Sequence, residues 1–254
     1  MLAARDLLIR GLLAGLLAGL AAFAVAYLVG EPPVDAAIAV EKGQAAGHAA
    51  DGHTHAEEGG TEVPRSLQST AGLLTATVVA GVTLGGLVGV VSALALGRFG
   101  RLGVRGVPLL VAGLGFVAVY AVPFLVYPPN PPAVGSPDTI GYRTALYFVL
   151  VAISLVAGVT AVLVGRRLAS RWGGWYASLA AAAGYAVVLL VAAALVPGYD
   201  EVPADFPASV LYGFRRASFL TQLTLWGVLG LALAELTARL AGRHRADRVP
   251  VEVA

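Results

Sequence analysis

Residues 142–165 read YRTALYFVLVAISLVAGVTAVLVG and residues 172–196 read WGGWYASLAAAAGYAVVLLVAAALV, with only RRLASR between them. Past Arg143 neither run holds a charged side chain. About 20 mostly apolar residues in a helix cross a bilayer core, so each run is long enough to span. Neither alternates with period two over about ten residues, which argues against the strands of a transmembrane barrel. Working outward from this pair, four more segments qualify, at 7–30, 70–97, 104–127 and 217–241. The expected fold is all-α: one polytopic membrane domain of six transmembrane helices with spans at 7–30, 70–97, 104–127, 142–165, 172–196 and 217–241. An outer connection at 31–69 and a tail at 242–254 complete it.

Composition agrees. The chain has 254 residues, of which 58% are hydrophobic and 13% charged, with a mean hydropathy of +0.80. A soluble domain carries about 25% charged residues, so an ordinary cytosolic globule, a disordered chain and a nucleic-acid binder are all excluded. The pI near 9.0 reflects a net charge of only +2, and the basic residues sit in short stretches between apolar runs. Cysteine is absent, which removes disulfides, thiolate metal sites and catalytic thiols.

Orientation follows from Lys and Arg in alternate connections. One side holds Arg5, Arg10, Arg98, Arg101, Arg105, Arg166, Arg167, Arg171, Arg239, Arg243, Arg245 and Arg248, and the other only Lys42, Arg65, Arg143, Arg215 and Arg216. Most acids, including Glu31, Asp35, Glu41, Asp51, Glu57, Glu58, Glu62, Asp138, Asp200, Glu201 and Asp205, accompany the second set. Both termini are therefore expected in the cytoplasm, with the long connections 31–69, 128–141 and 197–216 outside. The first segment also has a secretory-signal reading, since Arg5 and Arg10 precede it and Ala24-Val25-Ala26 resembles a cleavage site. Its apolar stretch exceeds the usual signal core of about 7–15 residues, which favours a retained helix. Removal would leave five spans.

Small residues recur at helical spacing: Gly11, Gly15 and Gly19 in the first segment, and Gly81, Gly85 and Gly89 in the second. Each row opens a face to close backbone approach in lipid. Internal packing is the expected use; contact between copies of the chain and a substrate groove are the alternatives.

The first outer connection carries His48, His53 and His55 with Asp51, Glu57 and Glu58. Imidazole with carboxylate suits divalent transition metals such as Co2+, Ni2+ or Zn2+, and the flanking Ala and Gly suit capture better than a permanent structural site. The competing reading is a solvated linker that happens to bear histidines. In the second connection, Tyr127-Pro-Pro-Asn-Pro-Pro132 is a stiff strap, because proline fixes φ and removes backbone donors; Asn130 and Asp138 are weaker ligand candidates. Pro108 and Pro123 are expected to kink their helix. In the third, Arg215 and Arg216 lie against the charge trend and are expected to pair with Asp200, Glu201, Asp205 or the acids of the first connection. Glu235 is the one acid within a span. An intramembrane carboxylate is a functional candidate, although an i,i+4 ion pair with Arg239 explains it more simply. Thr75, Thr83, Thr221, Gln222 and Thr224 are expected to bond between helices, and His244 to be solvated. No G-x-x-x-x-G-K-[ST], no H-E-x-x-H and no Ser-His-Asp set at one membrane depth is present, so an enzyme is not expected.

The chain resembles the A subunit of the predicted cobalt transporter family (CbtA-like), polytopic bacterial membrane proteins tied to cobalamin metabolism. The resemblance rests on Gly11-Leu-Leu-Ala-Gly15-Leu-Leu-Ala-Gly19, the Gly30-Glu-Pro32 exit and the His-bearing acidic stretch to Glu62. It rests further on the 127–132 strap with Thr139-Ile-Gly-Tyr-Arg-Thr144, and on Pro203-x-x-Phe-Pro207 with Leu211-Tyr-Gly-Phe-Arg215. It implies uptake of Co2+; no tightly bound cofactor is expected, with Co2+, or Ni2+ or Zn2+, as the transported or transiently bound ion. It also implies a single-span, histidine-bearing B subunit as partner beside the membrane lipid, and about five spans. The other functional class is a non-transporting assembly or docking protein whose long outer connections bind a partner.

Overall fold

The computed structural model describes residues 3–50, 63–99 and 102–246. Among them every regular element is helical. Helix α1 (Ala4–Val25) passes through a π-helical turn at Ala26–Gly30 directly into α2 (Glu31–Ala50). The short α3 (Arg65–Leu67) and a second π-turn, Gln68–Gly72, lead into α4 (Leu73–Ala95). Then follow α5 (Gly106–Phe116), a third π-turn (Val117–Ala121), α6 (Val122–Val126), α7 (Pro137–Leu195) and α8 (Ala208–Ala246). Among the described residues, five helical stretches are long and apolar enough to cross a membrane: Ala4–Gln44, Arg65–Ala95, Gly106–Val126, Pro137–Leu195 and Ala208–Arg243. Large apolar side chains such as Leu13, Leu17, Leu28, Leu125 and Leu190 face outward, as lipid contact requires.

Three boundaries differ from the sequence expectation. The start of the 31–69 connection is helical, because nothing in Glu31–Ala50 stops a helix once the π-turn has absorbed Pro32 and Pro33. The last helix begins at Ala208, not 217, so Arg215 and Arg216 are helical residues. The connection expected at 166–171 is helical too, and the chain reverses at Gly173, whose φ of 75° and ψ of 159° break the long α7. The Ser154 and Tyr185 hydroxyls are 2.8 Å apart, whereas a straight helix would separate these residues by about 46 Å. The element is thus a hairpin of two arms turning on a glycine conformation that other residues rarely adopt.

Proline explains two of the π-turns. A proline at position i clashes with the carbonyl at i−4 and offers it no donor; widening the turn relieves both. Pro32 and Pro33 follow Ala26–Gly30, and Pro123 follows Val117–Ala121. The carbonyl of Val119, four residues before Pro123, accepts instead from the Tyr147 hydroxyl at 3.4 Å. Pro108, by contrast, sits in the first turn of α5, where the missing N–H costs nothing.

The chain forms two compact units, residues 1–115 with 209–254, and residues 116–208. In the first, α1 and α4 run antiparallel through their glycines. A methyl group at Gly19 would lie 2.7 Å from the Thr77 carbonyl oxygen, and one at Gly89 2.5 Å from that of Leu7. At Gly11, Gly15, Gly81 and Gly85 it would meet the facing backbone closer still. The buried face of α1 is Leu7, Gly11, Ala14, Gly15, Ala18, Gly19 and Ala22, small at all but one position. In the same unit, α8 packs on α5 through Gly230, whose added methyl would stand 3.0 Å from Ala112 Cβ, and through Trp226 against Gly115. The second unit contains the α7 hairpin, the strap before it and the connection after it.

Candidate functional site

The histidine-bearing connection stands on a clamp. Arg65 pairs with Glu31, and its guanidinium lies 3.0 Å from Asp35, so the first turns of α2 are tied to α3. This continues the antiparallel register: Gly11 faces Gly85, Gly15 faces Gly81, Gly19 faces Thr77, and Arg65 meets Glu31. Beyond the clamp, α2 rises to Ala50, which sets His48 about 20 Å past Asp35 along the helix. His53, His55, Asp51, Glu57 and Glu58 lie outside the described residues. Among the described residues no group of three or more His, Cys, Asp or Glu side chains is placed to hold a metal ion.

In the second unit the strap and the 197–207 connection are joined by Glu201. Its carboxylate accepts from the Ser136 N–H at 2.8 Å and from the Thr139 hydroxyl at 2.6 Å, and it pairs with Arg143 at 3.1 Å. The Thr139 and Ser136 bonds, aided by the Arg143 charge, hold its carboxyl below the usual carboxylate range, since each favours the charged form. Tyr127 donates to the Pro197 carbonyl at 2.8 Å, and Tyr142 meets Tyr199 edge-on at 6.2 Å. Partial burial and the neighbouring Tyr142 and Glu201 raise the Tyr199 hydroxyl. Gly135, at φ 114°, presses on Arg143: an added methyl would stand 2.6 Å from its guanidinium. A cavity of about 300 Å³ lined by Tyr120, Tyr127, Pro129, Ile140, Arg143, Thr144 and Tyr147 opens beside it.

Glu201 thus has Arg143 as its partner within its own unit, a link the sequence reading did not make, because the two lie far apart in the chain. The Arg216 guanidinium lies 6.0 Å from the Tyr212 ring centre, at the outer limit of a cation–π contact. Ser136, at the start of α7, accepts from the N–H of Asp138 at 3.3 Å, an ordinary N-cap. Glu235 pairs with Arg239 at 2.9 Å, as its spacing suggests, and also with Arg105 at 3.0 Å. It therefore ties the start of α5 to α8. Thr221, expected to bond between helices, donates within its own helix to the Ala217 carbonyl at 2.9 Å. Between the two arms of α7 it is the Ser154 and Tyr185 hydroxyls that bond. No periodicity signals it in advance, because both residues are isolated in apolar runs.

Helices long and apolar enough to cross a membrane, two of them packed backbone to backbone through glycine, define the class of an integral membrane protein. The family comparison makes this particular: residues 4–238 match the family model described as probable cobalt transporter subunit (CbtA), and the chain belongs to that family. Neither the curated proteins nor the solved structures contain a match. The family's description as a subunit entails a partner subunit.

Proposed function

We propose that this chain is the membrane-embedded subunit of a divalent-cation uptake system whose cargo is Co2+, with the 31–69 segment capturing the ion before it passes the helices. The observation that carries the proposal is the family match over nearly the whole chain. The clamp at Arg65 supports it, because it fixes the base of the helix that leads into the histidine-bearing stretch. Neutral imidazoles bind the cation, and Asp51, Glu57 and Glu58 add oxygen ligands and raise its local concentration. Counting the two α7 arms separately gives six crossings of the bacterial plasma membrane, with both termini cytoplasmic. The sequence carries no G-x-x-x-x-G-K-[ST] motif, and Glu235 is the one acid within the apolar segments expected to span. Passage is therefore passive or completed by a partner, for which a single-span, histidine-bearing B subunit is the candidate.

The test is uptake of cobalt, nickel and zinc in cells with and without this chain, its genetic neighbours co-expressed. Chain-dependent cobalt accumulation is expected. Correct insertion with no uptake of any divalent metal would move the reading to a docking or assembly protein.

A further inference from the structure

The tip of the α7 hairpin has a charge problem that its own unit does not solve. Arg167 and Arg171 lie one helical turn apart, on one face just before the Gly173 reversal. The chain contains no acidic residue between Asp138 and Asp200, so past the first turn of α7 neither arm carries a carboxylate. Neither arginine makes an ion pair among the described residues, whereas in the other unit Arg105 and Arg239 share Glu235, and Arg98 donates to the Leu94 carbonyl. Beside these two cations stand Trp172, Trp175 and Tyr176, 54%, 73% and 67% exposed. Such amphipathic rings settle at the headgroup level of a bilayer, which places the two guanidinium groups among lipid phosphates.

We propose that the Gly173 turn is a binding site for the headgroup of an anionic phospholipid, with Arg167 and Arg171 holding the phosphate and the two tryptophans seated beside it. The site requires only that the hairpin cross the bilayer, whichever leaflet its turn reaches. Arginine suits the role because its planar fork meets two phosphate oxygens at once. The headgroup supplies the counter-charge that the hairpin lacks, and the rings fix the depth of the turn. The site therefore anchors the reversal that makes two crossings of one long helix.

The protein's own tryptophans report on it. Of the three in the chain, Trp172 and Trp175 are at the turn, and Trp226 is 5% exposed in the other unit. The full chain is reconstituted in vesicles of phosphatidylcholine with a minor share of phosphatidylglycerol. In parallel samples of identical composition, bromine is carried near the headgroup end of the acyl chains of one lipid or of the other. Quenching should show phosphatidylglycerol enriched beside the tip tryptophans by at least about fivefold over its bulk share, the factor one arginine supplies near a charged surface. Arg167→Gln with Arg171→Gln should return the ratio to the bulk value, while Arg98→Gln with Arg243→Gln, removing equal charge elsewhere, should leave it unchanged. Bulk-level quenching of the unaltered protein by both lipids would overturn the site, and is the result expected if an acidic protein segment covers the turn instead. Equal loss in the two double variants would overturn it as well, by assigning the enrichment to the general field of the protein.

Discussion

The α1–α4 pair and the α7 hairpin both join two apolar helices in lipid, where water no longer drives apolar surfaces together. The first does so by removing side chains. Its glycines let carbonyl oxygens of one helix occupy the space where Cβ atoms of the other would be, and many short dispersion contacts accumulate along the seam. The second has a single tight glycine approach, Gly165 against Ala181, and otherwise relies on sparse polar handles: the Ser154–Tyr185 hydroxyl pair along the arms and a carboxylate hub at Glu201. A close seam tolerates no added atom, while a handle can be removed at modest cost. Damage should therefore be graded across the molecule according to which device it strikes.

The largest effect is expected at the seam. Gly15→Leu should abolish recovery of folded protein from the membrane. Gly15→Ala should cost about 3 kcal/mol, at the upper end of overpacking penalties, because the added methyl meets facing backbone, not the movable end of a side chain. Gly113→Ala on α5, where an added methyl meets nothing within 4 Å, serves as the control and should leave thermal stability in detergent unchanged. Equal loss at Gly15 and Gly113 would break the distinction.

At the hub, the effect should depend on pH. The Glu201 carboxyl is lowered from its ordinary value near 4.5, so the folded state binds its proton less readily than the unfolded chain does. Its contribution is complete above about pH 4.5 and is lost as pH falls through the lower folded value. Glu201→Gln should thus be destabilised at neutral pH, and its melting temperature should fall less steeply than that of the unaltered protein as pH is taken from 5 to 3. Parallel curves would remove the hub from the account. The smallest effect belongs to the hydroxyl pair. Ser154→Ala and Tyr185→Phe in a double-mutant cycle should show a coupling of about 0.6 kcal/mol, typical of hydrogen bonds between membrane helices. A coupling near zero would leave the arms joined by packing alone.

The same contrast decides how much was legible in the sequence. Glycines spaced by four residues advertise a seam, because spacing is all a close-packed face requires, and the apolar runs advertise spans, because length and composition set them. The Glu235–Arg239 pair was legible for the same reason: both ends lie on one turn. Arg143 with Glu201, Arg65 with Glu31 and Ser154 with Tyr185 were not, since each joins residues about 30 or more apart through a tertiary arrangement that no local period encodes. The helical course of Glu31–Ala50 escaped because its Glu, Asp, Gly and Pro residues suggest a loop, while the π-turn before it lets helix continue. The reversal at Gly173 was misplaced because RRLASR has the charge of a connection but a helix-compatible composition. Of the candidate metal ligands, His48 has a placed backbone on α2, and the remainder lie in 51–62, outside the described residues.

The central claim is capture of the cation by the clamped histidine-bearing segment, and the most direct measurement is cobalt uptake at limiting and saturating concentrations in cells carrying the unaltered chain or His48→Ala with His53→Ala and His55→Ala. The expected result is a rise of about tenfold or more in the concentration for half-maximal uptake, consistent with the loss of three imidazole ligands, with the maximal rate largely kept. In the unaltered chain the apparent affinity should fall as pH drops through about 6.5, where free imidazole takes up a proton. Unchanged uptake at limiting cobalt in the triple variant, with equal amounts of inserted protein, would contradict the capture role.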